Sequence, residues 1–405
     1  MERIDKEPYK LYNQIQNYAW GTKNENAFIP KLLQIKIEKD QTYAELWIGA
    51  HPKASSKIMY QGNFISLSDL INKFPSEILG EYVVNKFGNN LPFLLKILSA
   101  NHALSIQMHP NKQEAEALHK NDPNNYPDAN HKPEIAIALD SLDALVGLKP
   151  LKEIIDALKT YCGFIDFYGS EYYDKVVSDP LPTDEESVKG EFYKTTMNLG
   201  KDENILSQLL NNLEDEILKK EKRELNEEYF LENKKIFGND IGLLSFFFFN
   251  LVSLKKDEGF FTESGIPHAY LKGNIVECMA NSDNVIRAGL TPKFKDVDSL
   301  LSLINMHTSN PKIIHPQGRE KKYSSTAEEF DLKNISLKEK EKITLITKSR
   351  VQVGLVLDGE VVFSCGEKEK KFNFIKGEAF LVPALLPEYT LISRDNSNCI
   401  IVTVP

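Results

Sequence analysis

Three short segments, far apart in the chain, carry side chains suited to metal-assisted chemistry. In Leu104–Pro110 (LSIQMHP), Gln107 and His109 stand two residues apart, so in a strand both side chains leave the same face. Leu104, Ile106 and Met108 fall on the opposite face. Such a segment is either a solvated edge strand or the polar wall of a cavity. The apolar run Leu91–Leu98 (LPFLLKIL) just upstream allows the second arrangement. Asn130–Glu134 (NHKPE) gathers an imidazole, an amine and a carboxylate around a stiffening proline. Gly265–Tyr270 (GIPHAY) places His268 after a proline, at the start of a strand. Gln107, His109, a carboxylate from NHKPE and His268 make a mixed nitrogen and oxygen ligand set. Zinc accepts imidazole and carboxylate, and a weak amide donor leaves the ion strongly Lewis acidic. The absence of a thiolate pair argues against a purely structural zinc.

A fourth segment, Asn281–Lys293 (NSDNVIRAGLTPK), presents Asp283, Arg287 and Lys293 around a turn shaped by Gly289 and Pro292. Arg287 beside Lys293 suits a phosphate or a developing oxyanion. Judged alone, the segment reads as an ordinary basic surface loop, just as any one of the eight histidines reads as a surface or satisfied core residue.

Positioning these residues requires a β framework. The first 150 residues hold short β-like runs, with a strand expected at Leu33–Ile37 and a helix over Ser66–Phe87 capped by Ser68. From Leu151 the spacing of apolar residues turns helical, in Leu151–Leu158 and Ile205–Leu218, and Lys219–Lys235 reads as a solvated helical surface. Leu243–Val252 (LLSFFFFNLV) is ten residues long, short of the ~20 that cross a membrane, and is expected as a buried strand or core segment. Lys256–Leu271 and Lys376–Leu391 match at an offset of 120 residues, at Lys256/Lys376, Glu258/Glu378, Phe260/Phe380, Pro267/Pro387 and Leu271/Leu391. A repeated turn–strand–turn–strand unit predicts two related antiparallel barrels or jelly rolls. His268 of the first copy is replaced by Glu388 in the second. The expected architecture is mainly β with an α-helical insertion. It has a catalytic barrel from 1–150 plus 239–315, a helical insertion at 151–238 and a C-terminal barrel at 316–405, joined through Pro316–Glu328.

The 405 residues include 49 basic and 58 acidic side chains, a net charge of −9 that excludes a general nucleic-acid or anionic-membrane binder. The opening MERIDKEPYKLY has no apolar stretch of the secretory kind. Cys162, Cys278, Cys365 and Cys399 are scattered and read as reduced thiols, so a cytoplasmic protein is expected. No heptad or apolar stripe calls for an oligomer, and a monomer is the expectation.

Taken together, QNYAWG (Gln16–Gly21), AELWIGAHP (Ala44–Pro52), Leu91–Pro110, YPDANHKPEIAIAL (Tyr126–Leu139), Pro267–Leu271 and ECMANSDNVIRAGLTPK (Glu277–Lys293) resemble the type I phosphomannose isomerases, zinc-dependent members of the cupin superfamily. The resemblance runs in family order over about the first 300 residues. It implies two cupin-like barrels, the second without metal, and one zinc held by Gln107, His109, Glu134 and His268. It also implies a catalytic Arg287 and interconversion of mannose 6-phosphate and fructose 6-phosphate through an enediolate. On that basis Lys132 is the preferred proton-transferring base, with Glu277 its rival, and His131 is expected to assist ring opening. Lys96, Lys293 and Ser105 are expected at the phosphate, and Tyr270 and Asp283 as residues that orient their neighbours. Glu263 and Ser264 replace an expected Pro-Ala pair, which predicts a different local turn. A cupin-type metal oxygenase and a non-catalytic sugar-phosphate-binding protein are the competing readings.

Overall fold

The strand Phe93–Ala100 is buried along its whole length, and its alternating side chains serve two different environments. It lies in a nine-stranded antiparallel sheet whose main path runs Phe249–Lys255, Glu134–Leu148, His268–Ala280, Phe93–Ala100, Glu45–Ile48 and Gln14–Gln16. Leu95, Ile97, Ile135, Ile137, Val276 and Cys278 leave one face and enter a core shared with Leu11, Ile58, Val353 and Leu381 of a second, eight-stranded sheet. Because side chains alternate, the residues between them leave the other face. Lys96 and Glu277 are direct cross-strand partners there, as are Trp47 and Lys96. The computed structural model describes residues 3–178, 184–307, 311–366 and 369–405, and it is a mainly β, cupin-like fold interrupted by helices.

Two short strands extend the sheet at its polar end. Ile106–Met108 pairs with both Ile286–Gly289 and the start of His268–Ala280, which sets Gln107 opposite His268 and opposite Arg287. Ile106, Met108, Ile286 and Ala288 face the other way, into a core built with the helical block between Leu151–Thr160 and Leu225–Phe237. Phe246, Phe247, Phe248 and Phe249 all belong to that core. A strand would divide the four rings between two faces. The segment, expected as a buried strand or a core segment, is therefore the latter: it forms a 3-10 turn at Ile241–Leu244 and an α turn at Ser245–Phe248, and becomes extended only at Phe249.

Two expectations are corrected. Leu33–Ile37 is not a strand: Leu33 ends the helix Phe28–Leu33, Gln34 caps it in a left-handed conformation with φ 55°, and Ile35 is exposed. The Ser66–Phe87 segment is three helices, Leu67–Lys73, Pro75–Leu79 and Glu81–Phe87, separated at Phe74 and Gly80. Its N-cap is Ser66, which accepts from the Asp69 amide, and not Ser68.

The internal repeat is visible in detail. In each copy a charged turn is closed by the glutamate of the pair: the Lys255 amide donates to Glu258 at 2.8 Å and the Ile375 amide to Glu378 at 3.1 Å. His268 and Glu388 each open the following strand. In the second unit the interior is filled by rings, with Phe363 stacked on Tyr389 at 4.3 Å and Phe374 tilted 35° against Phe380 at 4.7 Å between centroids. Tyr9–Tyr12, Lys57–Tyr60 and Asn63–Ser66 join the eight-stranded sheet, and so does Glu320–Tyr323, within the expected connecting tract. Among the described residues no helix is long and apolar enough to cross a membrane.

The strand that carries Arg287 touches the helical block at a glycine–glycine crossing. A Cβ on Gly289 would stand 2.4 Å from the Gly242 Cα, and Asp240 ties the crossing by accepting from the Gly242 and Leu290 amides. Backbone cannot yield as a flexible side chain can. Gly289→Ala should therefore cost about 1–3 kcal/mol or more, seen as a lowered Tm; an unchanged Tm would show that this crossing does not constrain the fold.

Candidate metal centre and active site

Glu134, His109 and His268 are buried and bring one ligand atom each to within 4.8 Å of the others. Their orientations are fixed from behind. His109 Nδ1 donates to the Asn284 carbonyl at 3.0 Å, and His268 Nδ1 donates to the Ile266 carbonyl at 3.0 Å. Each imidazole therefore presents the lone pair of Nε2 to the Glu134 carboxylate, at 3.2 Å for His109 and 2.8 Å for His268. Burial, reinforced by the Lys132 ammonium, depresses the His109 pKa to about 4, so that ring is neutral at pH 7. Burial alone would push the Glu134 carboxyl up, but Lys132 and the two imidazoles outweigh it and hold it well below the usual range.

Lone pairs therefore converge with no proton between them. His109 Nε2, His268 Nε2 and Glu134 Oε2 are all buried without a hydrogen-bond partner. Unsatisfied buried polar atoms are costly, and three aimed at one point fit a divalent cation. The donor types are those of a zinc site. Gln107, whose cross-strand partners are His268 and Arg287, leaves the same face of the sheet as both. Tyr270 donates to Glu134 Oε1 at 3.2 Å, and burial raises its pKa far enough that it remains a donor.

Beside this cluster lies a second buried charge group. Lys96 is paired with Glu277 at 3.0 Å and with Glu45 at 3.6 Å, and stands 5.2 Å from the Trp47 ring centre. Burial lowers the Lys96 pKa, but the carboxylates of Glu277 and Glu45 more than reverse this. Lys96, expected at the phosphate, is instead saturated by protein carboxylates. Glu277 responds oppositely: desolvation raises its pKa, and Lys96 only partly offsets the rise.

The other expected residues divide into two groups. Lys132 is buried with Nζ 3.3 Å from Glu134 Oε2, so it belongs to the metal cluster. Arg287 is half-buried and, among the described residues, has no hydrogen-bond or ion-pair partner. Lys293 lies close enough to Arg287 that the guanidinium, after desolvation, presses its pKa down. Ser105 precedes Ile106, which pairs with Gly289 of the Arg287 strand. Two expected residues stand outside this arrangement. His131 bonds Glu329 through Nε2 at 2.6 Å. Asp283 is held by His51 at 3.5 Å and Lys53 at 2.8 Å, and these two partners overcome the effect of burial and hold its pKa well below the usual range. Both Glu329 and Asp283 line a neighbouring cavity of about 610 Å³. Glu45, Trp47, Asp128 and Asn284 were not anticipated. For Glu45 and Trp47 the signal was present in AELWIGAHP, where two polar-capable residues alternate with Leu46 and Ile48.

The model of the family "Phosphomannose isomerase type I, catalytic domain" matches residues 9–151. Mannose-6-phosphate isomerase of Homo sapiens is 39% identical over 317 residues, covering 75% of this chain and 74% of that protein. Mannose-6-phosphate isomerase 2 of Arabidopsis thaliana is 33% identical over 391 residues, covering 91% and 87%. A crystal structure of an alanine variant of phosphomannose isomerase from Salmonella typhimurium superposes with a TM-score of 0.84 at 28% identity, covering 98% of this chain and 99% of that one. A zinc-bound mannose 6-phosphate isomerase gives 0.85 at 28% identity, with the same coverage.

Removing one imidazole should empty the centre. His268→Ala is expected to purify without zinc, as measured by elemental analysis; full zinc content in that variant would remove His268 from the ligand set.

Proposed function

The chain belongs to the type I phosphomannose isomerase family, and from that premise we propose how its own residues interconvert mannose 6-phosphate and fructose 6-phosphate. The observation that carries the reading is the buried convergence of unpartnered ligand atoms on His109, Glu134 and His268. Zinc held by these residues and Gln107 supplies Lewis acidity toward the sugar oxygens.

In the open-chain aldose the carbonyl is at C1 and the hydroxyl at C2. Conversion moves the carbon-bound proton from C2 to C1 and the hydroxyl proton from O2 to O1, through an enediolate. Glu277 is the group we assign to the carbon proton. Its carboxylate is desolvated and its pKa raised, which brings it toward the operating pH of a general base. Lys132, whose ammonium lies 3.3 Å from Glu134, is better suited to stabilising negative charge at the metal cluster than to carrying a free amine. Arg287, half-buried and unpaired among the described residues, is available to the developing enediolate oxygen, where a fixed cation favours the transition state. Lys293 and Ser105, near the same strand pair, are assigned to the phosphate. Lys96 is assigned to holding Glu277 and Glu45 in place. His131, committed to Glu329, is left with no ring-opening role in this scheme.

All four cysteines are free thiols, which supports a reducing, cytoplasmic setting. A coupled assay on mannose 6-phosphate should show turnover that a chelator abolishes and zinc restores. Turnover indifferent to chelation would overturn the proposal. The base assignment predicts that Glu277→Gln loses exchange of the C2 proton with solvent while Lys132→Met keeps some; the reverse pattern would make Lys132 the base.

A pH test follows from the same pair. Lys96 lowers the Glu277 pKa by charge attraction, so Lys96→Met should raise it further. Activity that needs the carboxylate is lost as pH falls through that pKa. The acidic limb of kcat/KM should therefore move to higher pH in Lys96→Met, and a limb that stays in place would exclude Glu277 as the titrating group.

A further inference from the structure

The loop that carries Lys132 and leads into Glu134 and the loop leading to Arg287 are joined by one carboxylate, Asp128. Asp128 Oδ1 accepts from the Asn130 amide at 2.9 Å, from Ser282 Oγ at 2.8 Å and from Asn284 Nδ2 at 3.2 Å, while Oδ2 accepts from the Asp283 amide at 2.8 Å. The first donor is in its own loop and the other three are in the opposite one. Asn284 is fully buried, and its Nδ2 also donates to the carbonyls of Asp128 at 2.6 Å and Asn130 at 2.9 Å. Its own carbonyl is the acceptor for His109 Nδ1.

The chain of contacts thus runs from Asp128 through the Asn284 side chain to the Asn284 peptide, and from there to the back of an imidazole. That last bond decides which nitrogen of His109 carries the proton. It also sets the direction in which the Nε2 lone pair points. An asparagine side chain locked by three acceptors cannot rotate its peptide without breaking bonds in a buried place, where each lost bond leaves an unsatisfied group. The same clamp sets where the chain re-enters the strand at Ile286, one residue before Arg287.

We infer that Asp128, acting through Asn284, is a positioning residue that aims His109 at the metal and holds the two active-site loops in register. The inference rests on the metal-centre reading and adds to it a determinant of metal affinity that touches neither metal nor substrate. Removing a hydrogen-bonding partner behind a metal ligand weakens metal binding by about 10–100-fold.

The test measures zinc binding directly on the full chain, by competition with a chromogenic chelator and by the rise in Tm when zinc is added to the apo protein. Asp128→Ala and Asn284→Ala leave the Asn284 carbonyl in place and loosen only its aim, so each should weaken zinc binding by about 10-fold, the lower end of that range, and shrink that rise, whatever happens to the apo Tm. Asp128→Asn keeps an acceptor at Oδ1 but turns an amide toward the Asp283 N–H; it should show a smaller loss, and it serves where the alanine variants do not fold. Asp122→Ala is the control, since it removes a turn contact to Asn125 in the same connection without touching the clamp, and it should bind zinc as the native chain does. Native zinc affinity in the folded Asp128 variants, even with a lowered apo Tm, would show a merely structural role and overturn the inference. A native chain that takes up no zinc would overturn the metal-centre reading itself.

Discussion

The arrangement depends on a carboxylate that has no exposed surface. Glu134 sits at 0% relative exposure with its charge retained. A lone carboxylate in such a place costs several kcal/mol in lost solvation, and it would protonate unless positive charge surrounded it. Lys132 supplies one such charge at 3.3 Å. The His109 and His268 imidazoles also favour the ionised carboxylate, yet their Nε2 atoms and Glu134 Oε2 are buried without hydrogen-bond partners. A divalent cation at their meeting point resolves both problems at once. Metal binding at this site and its local order would therefore be linked.

The fold meets this demand through strict alternation. Gln107 stands between Ile106 and Met108, Lys96 between Leu95 and Ile97, Glu277 between Val276 and Cys278, and Arg287 between Ile286 and Ala288, and all eight flanking residues are buried in cores. A slip of one residue would exchange the functional side chain with an apolar one, so packing of the neighbours fixes the register of the site. This explains why both extra units are needed. The eight-stranded sheet covers the apolar side of the long strands, and the helical block covers the apolar side of the two short ones. Each site residue is held by a core that takes no part in the chemistry.

How much of this was legible follows from the range of the signals. Gln107 with His109, the NHKPE segment and His268 could be read because metal-ligating types at strand spacing are uncommon, and the repeat could be read because Glu258 and Glu378 close equivalent turns. The Glu45–Lys96–Glu277 group could not be read, since its members are separated by fifty residues or more and meet only through strand pairing. Lys96 consequently looked like a free cation for phosphate. Local errors have local causes. Gln34 adopts a left-handed conformation that ends a helix where alternation suggested a strand. Four consecutive phenylalanines have no period at all, and the single core that encloses them decides their conformation. The Asp128–Asn284 clamp was hidden for another reason: its residues are ordinary turn formers, and only their burial distinguishes them.

The charge layout gives the site its division of labour. Over the whole chain the charge is −9, yet the interior pairs nearly cancel: Lys96 lies against Glu277 and Glu45, and Lys132 against Glu134. Cancellation is what burial requires, because in a low-dielectric interior an unpaired charge is expensive and a paired one is fixed in place. Arg287 and Lys293 lie toward the surface, where water lowers the cost of leaving them unpaired, and the Arg287 guanidinium depresses protonation of Lys293 by repulsion. That repulsion is relieved when an anion arrives. In the scheme proposed above, the dianionic phosphate of the substrate faces the exposed Lys293, and its nearly neutral carbonyl end faces Arg287 and the buried cluster. In that scheme, binding energy gained at the exposed end is available to hold the reacting carbons against Glu277, which an evenly charged pocket would not provide.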